Sequence, residues 1–188
     1  MPENITFRSP LPGKRTPYSL KRLLLVVLTA FAITLLLHLF AFDIIQVTSS
    51  SMAPTLNVGG RYLMEKITYH VRKPKQKDIV AFPSPVLSHH NLVKRIIATG
   101  GDTMQIRNKD IFINGLRLAE PYAYHSRDTI LLVGDNLGPL KVPEGTVFVM
   151  GDNRDESEDS RDWKDSTTGE RIYFVPTSRI LGKIILLY

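Results

Sequence analysis

The fold class predicted by the sequence is mainly β: an antiparallel β-sheet domain preceded by one N-terminal transmembrane helix. Three observations predict it. Residues 23–42 form a run of 20 without a formal charge, which at 1.5 Å per residue spans about 30 Å of hydrocarbon. Beyond it the pattern changes to short runs of β-branched and apolar residues divided by Gly, Pro and Asn, and no long stretch there keeps a 3.6-residue apolar period. Asn114-Gly115 lies between two such runs and is the signature of a two-residue hairpin turn that needs positive φ at both positions.

Each segment follows in order. Residues 1–22, with Pro2, Pro10, Pro12, Gly13 and Pro17, read as a flexible basic tail without a packed core. The tail carries +4 of the chain's net +6, leaving +2 for everything else. A nearly neutral remainder argues against nucleic-acid binding. Five Lys or Arg precede the apolar run and none lies between Asp43 and Gly60, so the positive-inside rule puts the N-terminus in the cytoplasm and the domain outside. The run exceeds the 7–15 residues of a cleavable export signal and no small-x-small site follows it, so it reads as an uncleaved anchor. His38 near its outer end reads as a neutral imidazole at the headgroup boundary. The domain itself is residues 43–188, with strands expected at 44–47, 61–66, 78–82, 92–98, 103–107, 110–113, 116–119, 146–150 and 180–187. The C-terminal run is too short for a second span and is expected as a closing strand. Residues 151–171 carry twelve formal charges and are expected as an exposed loop of the kind that carries function.

The absence of cysteine removes disulfides, thiolate nucleophiles and cysteine metal sites. His70, His89, His90 and His125 have no motif around them, and no HExxH occurs, so they read as surface or loop residues. Neither a metal nor a cofactor is expected. Two stretches carry potential chemistry. The serines of SSSMAPTL, residues 49–56, begin shortly after the apolar run, and an extended chain from 43 to 50 carries Ser51 at most roughly 29 Å from it. Lys94 sits among Leu92, Val93, Ile96 and Ile97. Burial there would disfavour its charged form, and a neutral amine could take the proton of Ser51 without a histidine. Composition alone also allows an ordinary strand lysine that snorkels to water.

Four segments, in order, resemble the bacterial type I signal peptidases, membrane-anchored Ser-Lys endopeptidases. SSSMAPTL is similar to the nucleophile box, LVKRIIATGGD to the general-base box, INGLRLAEPY to the hairpin after it, and VPEGTVFVMGDNRDESEDSR to the box that builds the back of the site; FVPTSRILGKI matches more weakly. The resemblance implies Ser51 as nucleophile, Lys94 as general base, and an oxyanion hole from the Ser49 hydroxyl and the Ser51 N–H. It implies that Ser157 bonds the base amine, that Asp159 and Arg161 pair to hold the loop, and that Gly151 leaves room beside the lysine. Asp152 and Asn153 would be structural. Signal peptides of exported preproteins would be the substrates, the bilayer a partner, and the cell membrane the location. Departures are Ala98-Thr99-Gly100-Gly101-Asp102 where the family has Gly-x-Pro-Gly-Asp, Gly59-Gly60 where it has Gly-Asp, and a longer link over 164–173. They bear on substrate range rather than on the dyad. Two other readings stand beside this one: a self-cleaving Ser-Lys protease, against which the anchor argues, and a silent membrane-bound β module, against which Ser51, Lys94 and Ser157 argue.

Overall fold

The computed structural model of the chain describes residues 19–87 and 90–186. The expected tail lies outside the described residues up to residue 18, as do His89 and the end of the last expected strand. The side chain of His38 is likewise not described.

Helix α1, Leu20–Ala41, has a mean hydropathy of 2.7 over its most apolar window and buries none of that window in protein. Its 22 residues make a rod about 33 Å long, enough to cross a bilayer.

The chain after α1 folds into two antiparallel sheets. The larger contains β1 (Phe42–Gln46), β2 (Arg61–Glu65), β3 (Ile79–Pro83), β4 (Asn91–Thr99), β9 (Thr146–Met150), β10 (Val175–Pro176) and β11 (Gly182–Ile185), in the order β1-β2-β11-β3-β4-β9-β10. The smaller contains β5 (Thr103–Arg107), β6 (Asp110–Ile113), β7 (Leu116–Arg117) and β8 (Leu137–Lys141), in the order β7-β6-β5-β8. The hairpin expected at Asn114-Gly115 forms, with Ile113 opposite Leu116 and φ of 52° and 83°. Expected strands 103–107, 110–113 and 146–150 match the observed bounds. That at 116–119 stops at Arg117, and the last expected strand forms as β11 from Gly182 to Ile185, between β2 and β3.

Besides the 3-10 turns Ser50–Met52 and Thr177–Arg179, three elements were not expected. Helix α2, Thr68–Val71, is one turn, too short to show a period. β10 has two residues. β8 contains Gly138-Pro139, a pair that reads as a turn but is tolerated because β8 is an edge strand.

β9 explains its own composition. Val147 and Val149 face one buried cluster with Phe82 and Trp163, while Phe148 and Met150 face another with Ile97 and Met104. A strand buried on both faces needs a continuous apolar run, and TVFVM supplies it. Phe82 and Trp163 meet edge to face, their ring centres 6.0 Å apart.

Candidate active site

β3 pairs with β4 from Asn91 onward, but β9 joins β4 only from Arg95, which faces Met150. At Lys94 the two strands have parted, and the chain leaves β9 at Gly151. The register therefore decides which residue meets the loop that follows. Lys94 is 3% exposed, and its Nζ donates to Ser157 Oγ at 2.9 Å. The Gly151 N–H donates to the same oxygen at 3.1 Å. Burial pulls the Lys94 amine down to about 8 from 10.5; Asp159 pushes the other way, and Arg161 adds to the fall.

Gly151 is required by space. A Cβ there would collide with Ser157 Oγ and with the Ser51 carbonyl oxygen. The same glycine thus abuts both the lysine's partner and the serine turn.

Ser51 lies in a single 3-10 turn, Ser50–Met52, packed beside β4, and is buried. Its hydroxyl lies 3.2 Å from the Ser49 hydroxyl. Ser49 precedes the turn in an extended conformation and makes no side-chain capping bond. Loop residues clamp the turn from the other side: the Asn153 N–H donates to the Ser51 carbonyl at 3.1 Å, and its side-chain amide to the Ser50 carbonyl at 3.3 Å. Ser51 and the Ser157 partner of Lys94 thus meet at one glycine, yet the structure pairs Ser51 Oγ with Ser49 and Lys94 Nζ with Ser157.

The charged stretch expected as an exposed loop is largely buried from Gly151 to Trp163; only residues 164–171 behave mainly as expected. The physical reason is internal pairing, because buried charges persist when paired and hydrogen-bonded. Burial by itself would push the Asp159 carboxyl up, but Arg161, bonding it at 2.9 and 3.0 Å, holds it below the usual range. Asp159 also accepts the Gly151 N–H at 3.1 Å. Arg154 grips Glu120 with contacts of 3.0 and 2.6 Å. Asp152 takes two bonds from Arg95, at 2.7 and 2.5 Å, and one from Thr55 at 2.5 Å.

Arg95, Arg154 and Glu120 escaped the sequence reading. Arg95 left a signal: a charged residue inside an apolar strand run needs a carboxylate partner, and the Gly-Asp-Asn segment offered one.

A groove of about 170 Å³ opens beside Ser51, lined on one side by Val47, Thr48 and Ser49 and on the other by His90, Leu92 and Val93. His90, expected as a surface or loop residue, thus lines the same groove as the serine. His70 is exposed, and His125 lies 3.5 Å from Asp155. Among the described residues no group of three or more metal-ligating side chains converges.

The family comparison defines a peptidase. The chain belongs to the signal peptidase family, peptidase S26, whose profile matches residues 20–188. It is 40% identical over 139 residues to signal peptidase I of Bacillus licheniformis, covering 72% of this chain and 74% of that one. It is 32% identical over 188 residues to probable signal peptidase I-1 of Synechocystis, covering 96% and 87%. A solved signal peptidase I from Enterococcus faecalis V583 aligns over 61% of this chain and 99% of its own, with 32% identity and a TM-score of 0.46.

Proposed function

We propose that the chain is a membrane-bound serine endopeptidase that cleaves N-terminal signal peptides from exported preproteins, with Ser51 as nucleophile and Lys94 as general base. The observation that carries the reading is the buried Lys94 amine beside the turn of a buried serine. A pKa of about 8 leaves about one amine in ten neutral at pH 7, against about one in 3,000 at the ordinary value.

The neutral amine takes the Ser51 proton as Oγ attacks the scissile carbonyl. Negative charge on the carbonyl oxygen is met by the Ser51 N–H and the Ser49 hydroxyl. The protonated lysine then gives its proton to the departing amine, which leaves as the new N-terminus. Water, deprotonated by the same lysine, releases the acyl group from Ser51. Before attack the amine must swing from Ser157 toward Ser51, and such bonds commonly tighten only when substrate is bound. Ser157 and Gly151 hold the amine, while Asp159 and Arg161 hold the loop that carries Ser157.

The substrate can be held as a strand. Residues 91–94 of β4 have no β9 partner, so their open edge can pair an extended peptide whose alternate side chains enter the groove. α1 would anchor the enzyme in the cell membrane with its N-terminus in the cytoplasm, so that residues 43–188 form the peptidase domain on the other side.

The test incubates purified protein and its Ser51→Ala form with several preproteins and sequences the new N-termini. Cleavage after the signal peptide by the wild type alone is expected. Equal products from both proteins, or cleavage only of the enzyme's own chain, would overturn the reading.

A further inference from the structure

The antiparallel pairing of β1 with β2 places Glu65 opposite Phe42, and the Lys66 N–H donates at 2.8 Å to the carbonyl of Ala41, the last residue of α1. The chain that follows β2 is therefore returned to the point where it left the helix. That chain, residues 66–77, contains five Lys or Arg and no acid. Lys66 is paired with Asp43 at 3.3 Å and Arg72 with Asp78 at 2.9 Å. Lys73 and Lys75 are exposed and have no carboxylate partner among the described residues. Between the cations two aliphatic side chains stand in water: Ile67 is 46% exposed and Val71 80%. The α2 turn spaces them four residues apart, so they share one side.

We propose that residues 66–77 are a second membrane contact, a basic strap tipped with Ile67 and Val71 that docks on anionic headgroups of the leaflet from which α1 emerges. The proposal rests on reading α1 as a membrane span. An acidic protein in water would gain from the lysines but little from isolated aliphatics. A bilayer interface takes both, charge at the headgroups and aliphatic carbon at the acyl boundary. With α1 alone the domain hangs on one covalent joint; a strap beside that joint restricts its swing and the height of Ser51 above the lipid.

The chain has no cysteine, so one can be introduced at a chosen place. His70→Cys, next to Val71, is labelled with a fluorophore, and the full chain is put into nanodiscs of phosphatidylcholine alone or mixed with phosphatidylglycerol, each prepared with a headgroup-depth quencher and, separately, with a mid-bilayer quencher that reads position 28. Leu28→Cys in α1 and Leu116→Cys in the Asn114-Gly115 hairpin are labelled in parallel. Quenching at 70 should be strong in the mixed lipid, weak in phosphatidylcholine and reduced by salt, with 116 unquenched. Lys73→Gln and Lys75→Gln should each lower the docked-to-undocked ratio about five-fold. No quenching at 70 while 28 is quenched overturns the strap and leaves the span. No quenching at 28 overturns both. Equal quenching at 70 in the two lipids, unmoved by either lysine substitution, overturns recognition of anionic headgroups.

Discussion

At the scale of the residue, Lys94 is held in a state that suits the proposed role of general base and costs stability. Its folded pKa of about 8 lies below the ordinary 10.5, so the unfolded chain binds the proton more tightly. The resulting penalty is fully present below pH 8 and is relieved as pH rises from about 8 to about 10.5. Lys94→Met should therefore abolish cleavage yet stabilise the fold at pH 7 by up to about 3 kcal/mol, an upper figure because Ser157 loses its partner; denaturant unfolding in detergent measures it. The wild-type rate should rise about tenfold per pH unit below 8 and then level off. A flat profile from pH 5 to 9 would contradict an amine base. Ser49 is exposed and makes no capping bond, so Ser49→Ala should leave the melting temperature unchanged. Loss of a transition-state hydrogen bond should lower kcat at least about 100-fold with little change in KM, as steady-state kinetics on a preprotein would show.

At the scale of the element, the site exists because two strands part. β9 is paired with β4 as far as Arg95 and Met150, and the loop leaving Met150 turns its Ser157 back to Lys94. Close approach at Gly151 allows this, and even one methyl group would strike Ser157 and the Ser51 carbonyl. Backbone and buried side chains cannot retreat cheaply, so Gly151→Ala should cost about 1–3 kcal/mol of stability and most of the activity, read together from thermal melts and cleavage rates. The serine turn and the loop are joined by Asn153 bonds to the Ser50 and Ser51 carbonyls, while Arg95 and Thr55 meet on Asp152. Three elements far apart in sequence thereby share one set of charge-assisted bonds.

At the scale of the whole molecule, the proposed function has α1 giving the peptidase access to substrates that share its membrane, through local concentration rather than through the bond-breaking step. A chain beginning at His38 should still hydrolyse a short soluble peptide at the full-length rate. Its cleavage of a preprotein in bilayers should fall about 100-fold or more, compared in one vesicle assay. Much was legible before any coordinates: an uncharged run of 20 residues can only be a span or a buried core, Asn114-Gly115 forces a turn, and alternation marks strands, because all three depend on neighbours in sequence. The serine and lysine boxes were legible as a resemblance for the same reason, each being a short contiguous motif. What escaped was the burial of the 151–163 loop, the partner of Arg95, the insertion of β11 between β2 and β3, and the return of residue 66 to the end of α1. By itself the sequence determined the long apolar helix, the β class and the residues available for chemistry, since these follow from local composition and spacing. Only the tertiary structure decided which charges are paired and buried, and that the lysine amine rests on Ser157 while the serine hydroxyl rests on Ser49, because those facts depend on strand register between segments that no local pattern connects.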